Sequence, residues 1–188
     1  NGRRLGDAVL EPAHTDVTKR VIYAVHDVTA DLRTGENVLG VLVGTGWHGG
    51  PIMIAQLEVD CADGTRVLVA SGRRVDLPQW HAATGPILAN SIFDGETYDA
   101  RLEHAGWSEP GFDPARVQDR TLQWSQVFAV RAPGGVLRVR PLESIRVLRE
   151  LPAPRITEPR TGVFVFDFGQ NHAGWARLRV TGARGTSI

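Results

Sequence analysis

The sequence has a single cysteine, no excess of either charge and no long apolar run. Cys61 has no partner for an internal disulfide, so a packed core has to stabilise the chain. Lys and Arg number 21 and Asp and Glu also number 21, which leaves no basic surplus for binding nucleic acid. No apolar run approaches the ~20 residues that span a bilayer, and the sequence predicts no membrane segment. No signal peptide is visible, so cytoplasmic and secreted locations both remain open.

Helical periodicity is also nearly absent, whereas alternation with period two is frequent. One face of a predicted strand carries Leu57, Val59 and Cys61, which favours a buried thiol at Cys61. Hairpin turns are predicted at Asp63-Gly64 and at Pro133-Gly134-Gly135, the second joining 124–131 to 136–140. Helix is limited to single turns that begin at Asp27 and Asp113. Further strands are predicted at 21–25, 66–70, 145–151, 163–168 and 175–180.

Many short strands with frequent Gly and Pro turns are typical of an all-β sandwich. The proline-rich stretch 151–155 is the one predicted boundary, because two prolines in three residues interrupt strand pairing. We expect residues 1–150 to form the sandwich and 151–188 to be a linker and the truncated start of a second β domain. Asn1-Gly2 is a turn signal without a preceding strand, so we expect the first strand to be missing from a chain cut from something longer.

The end of the chain predicts a hairpin with one aromatic face. Phe164, Phe166 and Phe168 alternate with smaller residues, and Gly169 and Gly174 allow a reversal toward 175–180. A lone hairpin is marginal in water. We therefore expect its Phe face to pack on the first sandwich, or on a neighbouring molecule if truncation has removed the natural partner.

Four stretches, taken in their order and spacing, are specific to one group of enzymes. They are Asn1-Gly2-Arg3-Arg4-Leu5-Gly6-Asp7; Asp27-Val28-Thr29 with Gly44-Thr45-Gly46-Trp47; Gly85-Pro86-Ile87 with Asp94-Gly95-Glu96-Thr97-Tyr98-Asp99-Ala100-Arg101; and Phe166-Asp167-Phe168-Gly169-Gln170-Asn171 with Gly174-Trp175. In these stretches the chain resembles the bacterial α-L-rhamnosidases, which are glycoside hydrolases. Ala13-His14 and His172 depart from the family, which usually has Gly-Trp and Met there, so one aromatic surface for a sugar is lost.

The resemblance implies a jelly-roll-like (galactose-binding-like) antiparallel β-sandwich followed by the start of the next β domain. It also implies that the catalytic residues lie in a separate α/α barrel, no part of which is present. The parent protein would be a hydrolase of rhamnose-containing carbohydrates, and this chain would be inactive alone. The barrel of the parent chain is then the expected protein partner.

Asp94, Glu96 and Asp99 form the tightest acidic cluster. Glycoside hydrolysis requires two carboxyl groups roughly 5 to 9.5 Å apart. In an extended strand the Cα atoms of Asp94 and Glu96 would lie about 6.5 Å apart, but nothing separates them into an acid and a base. We therefore expect a structural turn at Asp94-Gly95, held by hydrogen bonds from Tyr98 and Arg101.

The same segment also suggests carbohydrate binding, because carboxylates accept from sugar hydroxyls and aromatic rings stack on sugar faces. The candidate residues are Trp47, Asp94, Glu96, Tyr98 and Asp99, which we expect at one end of the sandwich. Their oxygens could hold Ca²⁺; no other cofactor is predicted, and the scattered histidines indicate no zinc site. Two functions remain open for the chain, and the parent could also be a rhamnosidase homologue whose substrate has diverged, because the substrate pocket lies outside these residues. The chain is either a scaffold for the barrel or a carbohydrate-binding module, calcium-assisted if an ion binds. An uncovered apolar face would favour the scaffold, and a concave aromatic and polar site the module.

Overall fold

The computed structural model of the protein describes residues 1–45, 50–72, 80–91, 93–117, 123–153 and 155–188. The helical segments among them are three single 3-10 turns, Thr29–Asp31, Ala100–Leu102 and Pro114–Arg116. The described strands are β1 (Arg20–Tyr23), β2 (Gln56–Asp60), β3 (Arg66–Ala70), β4 (His81–Ala82), β5 (Ile87–Ser91), β6 (Gly95–Tyr98), β7 (Ser125–Gln126), β8 (Val136–Val139), β9 (Arg155–Arg160) and β10 (Val163–Asp167). The predicted all-β class is confirmed. No helix in these ranges is long and apolar enough to cross a membrane.

The described strands belong to two units. The first unit comprises Asn1–Leu5 and Asp27–Gly134 and contains the antiparallel pairs β2–β3, β4–β7 and β5–β6. The second comprises Gly6–His26 and Gly135–Ile188 and contains the parallel pair β1–β8 and the antiparallel pair β9–β10. The boundary predicted near residue 151 stays a prediction.

The hairpin predicted at Asp63-Gly64 is confirmed. β2 and β3 pair in register from Gln56↔Ala70 to Asp60↔Arg66, and Gly64 takes a φ of 82° in the turn. The carboxylate of Asp63 accepts hydrogen bonds from the Thr65 amide at 2.9 Å and the Thr65 hydroxyl at 2.6 Å. Cys61 follows the parity of Leu57 and Val59 as predicted, although its thiol is half-buried rather than buried.

The hairpin predicted at Pro133-Gly134-Gly135 is wrong. β8 pairs in parallel with β1, from Arg20↔Val136 to Tyr23↔Val139, whereas β7 pairs with β4. Gly135 lies so close to this pairing that an added Cβ atom would stand 2.4 Å from the Val17 carbonyl oxygen. This glycine therefore permits a close approach of two backbones and does not make a local turn.

The partner predicted for the Phe-rich strand is also wrong. β10 pairs with β9 through the turn at Thr161-Gly162, and residues 175–180 are not a strand. The register shifts where Pro159 lies, so its missing N–H is not needed in the ladder. The predicted strand 145–151 likewise contributes only one isolated bridge, between Ala8 and Arg146.

Few of the described side chains are buried. Ile22 on β1, 8% exposed, is the only buried hydrophobic residue in the described ranges. The Phe face predicted to be covered is open, since Phe164 and Phe166 on β10 are 56% and 49% exposed. Several strand faces therefore present apolar groups to solvent.

Candidate sugar-binding site

The β5–β6 hairpin carries or adjoins four of the five predicted site residues. Asp94 lies in its turn, and Gly95 begins β6 with a φ of 81°. The Ser91 hydroxyl accepts from the amides of Phe93 and Asp94 at 3.1 and 3.2 Å and donates to the Asp94 carboxylate at 3.1 Å. Asp94 therefore closes the turn, as the structural interpretation predicted, and does not extend the strand that carries Glu96.

Glu96 and Tyr98 lie on one face of the hairpin. They are two residues apart on β6, so their side chains point to the same side of the strand. Asn90 on β5 is the cross-strand partner of Glu96, and directly opposed residues share a face. The three residues combine an amide, a carboxylate and a phenol ring that is 50% exposed. We call this set, Asn90, Glu96 and Tyr98, the hairpin face.

Asn90 is held in place by Thr45 from a distant part of the chain. The Thr45 hydroxyl donates to the Asn90 carbonyl oxygen at 2.6 Å, and the Thr45 amide donates to the Asn90 side-chain oxygen at 3.2 Å. Trp47, the predicted aromatic platform, follows Thr45 by two positions and lies outside the described residues. Its predicted position beside the hairpin stays a prediction.

Tyr98 donates a hydrogen bond to the carboxylate of Glu103. This bond, with smaller contributions from desolvation and from the charges of Glu103 and Glu96, raises the pKa of Tyr98 to about 12. The phenol therefore stays protonated at neutral pH, with its ring orientation fixed by Glu103.

Asp99 is already engaged by the protein. Its carboxylate accepts from the Arg101 amide at 3.0 Å and forms three contacts with the Arg101 guanidinium, at 2.8 and 3.1 Å to Nε and at 2.5 Å to Nη2. This pairing raises the pKa of Arg101 above its ordinary value. Tyr98 and Arg101 thus bind Glu103 and Asp99, and the prediction that they hold the Asp94-Gly95 turn is wrong. Asp99 serves the 3-10 turn Ala100–Leu102 that follows β6.

Sequence reasoning missed Thr45, Asn90 and Glu103. Read as a two-residue turn, the Asp94-Gly95 signal would place Phe93 opposite Glu96, so only the observed register of β5 with β6 brings Asn90 opposite Glu96. No sequence signal connects Thr45 to Asn90 across 45 positions. Among the residues that the structure describes, no three His, Cys, Asp or Glu side chains are grouped to hold a metal ion.

Comparisons with known proteins identify the family. A model of the alpha-L-rhamnosidase N-terminal domain matches residues 1–149, and a model of the bacterial alpha-L-rhamnosidase concanavalin-like domain matches residues 157–188. The chain belongs to the α-L-rhamnosidase family. The predicted resemblance is confirmed, and the hairpin face lies within the part of the chain that matches this family's N-terminal domain.

Individual α-L-rhamnosidases are similar over the whole chain. One from Streptomyces avermitilis is 42% identical over 206 residues, which cover 100% of this chain and 18% of that protein. One from Formosa agariphila is 29% identical, covering 100% of this chain and 20% of that protein. The solved structure of an α-L-rhamnosidase from Dictyoglumus thermophilum matches with a TM-score of 0.77 and 36% identity, over 93% of this chain and 19% of that one. This likeness confirms the β-sandwich fold class. The chain spans about a fifth of the length of these α-L-rhamnosidases.

Proposed function

We propose that this chain is a non-catalytic scaffold within an α-L-rhamnosidase that removes terminal α-L-rhamnose from glycosides or polysaccharides. Membership of the α-L-rhamnosidase family and the coverage of 18% to 21% of its curated members support a role as one part of a larger enzyme. The scaffold role is supported by the apolar strand faces that the described residues leave uncovered.

The β9–β10 hairpin is the observation that carries this proposal. Five of its apolar side chains are between 40% and 57% exposed: Ile156, Val163, Phe164, Val165 and Phe166. Burying a large apolar side chain contributes about 1.5–3 kcal/mol, so covering this hairpin would stabilise any assembly that does so. Phe164 and Phe166 lie on one face of β10 and Val163 and Val165 on the other, and exposed apolar strand faces of this kind are typical of packing interfaces. The proposed cover is the rest of the enzyme, including its catalytic barrel.

The carboxylates of the hairpin region support a non-catalytic role. A glycosidase places two carboxyl groups on either side of the scissile bond, within a cleft that binds the sugar. Asp94 is bonded to Ser91 in a turn, Asp99 is paired with Arg101, and Glu96 stands on an exposed strand. None of these described carboxylates faces another across a cleft.

The test compares the full-length enzyme that carries this chain with the 188-residue chain alone. The double variant Phe164→Ser/Phe166→Ser, made in the full-length enzyme, should lower the thermal midpoint of the catalytic region and its activity on an aryl α-L-rhamnoside. The 188-residue chain should show no turnover of the same substrate.

Two controls separate packing from general damage. In the chain alone the same double variant should leave the far-UV circular dichroism unchanged and reduce binding of a hydrophobic dye. Leu148→Ser, which changes an apolar residue that is 93% exposed outside the hairpin, should not alter the full-length enzyme. An unaltered thermal midpoint in the double variant, or turnover by the chain alone, would contradict the proposal.

A further inference from the structure

An open cavity lies at the end of the β9–β10 hairpin, outside the part of the chain that matches the N-terminal domain of the family. It measures about 540 Å³ and is bounded by the start of β9, the end of β10 and the turn that follows β10. This volume is within the range of small-molecule sites, about 300–1,000 Å³. The residues that form its polar lining and one half-buried aromatic wall are Arg155, Thr157, Asp167, Gln170, His172 and Phe168.

Arg155 presents a guanidinium group that forms no ion pair with any described residue. Asp167 is its cross-strand partner, so the two side chains share one face of the hairpin. The Asp167 carboxylate instead accepts from the Gly169 amide at 2.8 Å. The Arg155 guanidinium is therefore available to a ligand, and the second oxygen of Asp167 remains an acceptor.

His172 gives the cavity a polar group at a position where the family usually has Met. Its imidazole ring packs edge-on against the Phe168 ring, with the two centroids 5.2 Å apart. Nδ1 lies 3.4 Å from the Gln170 carbonyl oxygen, which can only accept. The neutral ring therefore carries its proton on Nδ1 and presents Nε2 to the cavity as an acceptor.

We propose that this cavity binds a uronate, a sugar that carries a carboxylate. The carboxylate pairs with the Arg155 guanidinium, whose planar donors match the two carboxylate oxygens. The sugar hydroxyls donate to Asp167 and to His172 Nε2, and the Phe168 ring borders the sugar C–H groups. The proposal is independent of the scaffold role, since the Arg155 and Asp167 side chains lie on the face of the hairpin opposite to the phenylalanines of β10.

Charge separates a uronate from other ligands. Among the described residues that line the cavity, Arg155 is the one permanent cation and Asp167 the one carboxylate. A phosphate dianion would exceed the single positive charge and would be repelled by Asp167. A neutral sugar would leave Arg155 without a counter-charge. A monoanion with hydroxyl groups complements both side chains.

The test is a titration of the 188-residue chain with methyl α-D-galacturonide. Methyl α-D-galactoside is the matched ligand, because it has a hydroxymethyl group where the galacturonide has its carboxylate. ¹H–¹⁵N NMR follows the side-chain signals of Arg155 and His172, and saturation-transfer difference spectra of the glycoside provide a second measurement. We expect saturable shifts of both side chains with the galacturonide, and binding of the galactoside that is at least about tenfold weaker.

Three variants assign the binding to named side chains. Arg155→Gln should weaken binding of the galacturonide at least about tenfold, because the charge-assisted hydrogen bonds are lost. His172→Met, which restores the residue usual in the family, should weaken it by about two- to tenfold, the effect of losing one neutral hydrogen bond. Arg160→Gln is the matched control, because Arg160 also lies on β9 but pairs with Val163 at the far end of the strand, and it should bind as the wild type does.

Absence of saturable binding, equal affinity for the two glycosides, or unchanged affinity in Arg155→Gln would overturn the proposal. Shifts confined to residues 1–149 would also overturn it, since the ligand would then bind elsewhere. An equal loss in Arg155→Gln and Arg160→Gln would do the same, because general attraction of an anion to a positive surface would explain the binding. If Arg155→Gln does not fold, Arg155→Lys, which keeps the charge but loses the planar donors, takes its place and should also weaken binding.

Discussion

The Ser144 hydroxyl donates a 2.7 Å hydrogen bond to the Glu11 carboxylate, across 133 positions of the chain. The same carboxylate pairs with Arg140 and lies 3.6 Å from His26 Nε2. The side chains of Glu11 and Arg140 are only 17% and 21% exposed. One acidic group therefore connects the segment Gly6–His26 to the residues around β8 within the second unit.

We predict that Glu11→Gln lowers the free energy of unfolding by about 1–3 kcal/mol, because a half-buried Arg140 loses its counter-charge. Urea denaturation at neutral pH measures the change. Glu150→Gln is the control, since Glu150 pairs with Arg177 where both side chains are 69% exposed, and its loss should change stability by less than about 0.5 kcal/mol. If both substitutions changed the free energy of unfolding equally, the Glu11 contacts would stabilise the protein no more than an exposed ion pair does.

A second prediction concerns the close approach at Gly135. In Gly135→Ala the new methyl group would lie 2.4 Å from the Val17 carbonyl oxygen and 2.6 Å from the Arg20 amide nitrogen. Because both atoms belong to backbone, the parallel β1–β8 pair has to open, at a cost of about 1–3 kcal/mol. Hydrogen exchange at Val136 and Arg140 should accelerate, since their amides bond to Lys19 and Tyr23. Gly85→Ala, with no atom within 4 Å of the added methyl group, should leave these rates unchanged.

The ionisation of Tyr98 provides a third prediction. Tyr23 and Tyr98 are the two tyrosines of the sequence, so a Tyr23→Phe background isolates Tyr98 in an alkaline absorbance titration. We expect a midpoint near pH 12 and a shift toward 10 in Glu103→Gln, which removes the accepting charge. Because folding raises this pKa, the hydrogen bond stabilises the protein fully below pH 10 and is lost as the pH rises through about 12. A midpoint near 10 in both proteins would contradict the Tyr98–Glu103 bond.

A fourth prediction concerns acid and the β2–β3 turn. Hydrogen bonds from the Thr65 hydroxyl, and secondarily from its amide, lower the pKa of Asp63 below 3.8. The stabilisation that they contribute is present above pH 3.8 and is lost as the pH falls through the lowered pKa. Thr65→Val should move the Asp63 pKa back toward 3.8, measured by its carboxyl ¹³C shift. Asp27, whose pKa is lowered in the same way by Thr29, serves as an internal control and should not change.

Turns and capping were predictable because their determinants lie within a few residues. Gly64 follows Asp63 where the backbone needs a positive φ, and Asp113 accepts from the Ala115 amide at the start of its predicted turn. The Asp27 carboxylate likewise accepts from the Thr29 amide, although the turn begins at Thr29 with Val28 and not Asp27 at its N-cap. In each case one short polar side chain satisfies an amide two residues away, so the local sequence is sufficient.

The candidate site was predicted only in part. Glu96 and Tyr98 share a face because alternation along a strand places residues two apart on the same side. The alternative in which Asp94 and Glu96 form a carboxyl pair required Asp94 to lie in an extended strand. The hydrogen bond from Ser91 holds Asp94 in the turn and excludes that alternative. The contribution of Asn90 depends on the register of β5 with β6 and on Thr45, neither of which alternation reports.

By itself, the sequence determined the all-β class, the family, the turns at Asp63-Gly64 and Asp113, and the residues that share a strand face. Beyond the β2–β3 hairpin, only the tertiary structure decided which strands pair. β8 pairs with β1 and not with the preceding segment 124–131, and β10 pairs with β9 and not with residues 175–180. The physical reason is that backbone N–H and C=O groups are the same in every residue except proline, so a ladder can form with any strand that chain geometry brings alongside. Close backbone contacts such as that between Gly135 and Val17 favour one pairing of strands over another. Such contacts form only when segments distant in the sequence come together in the folded chain.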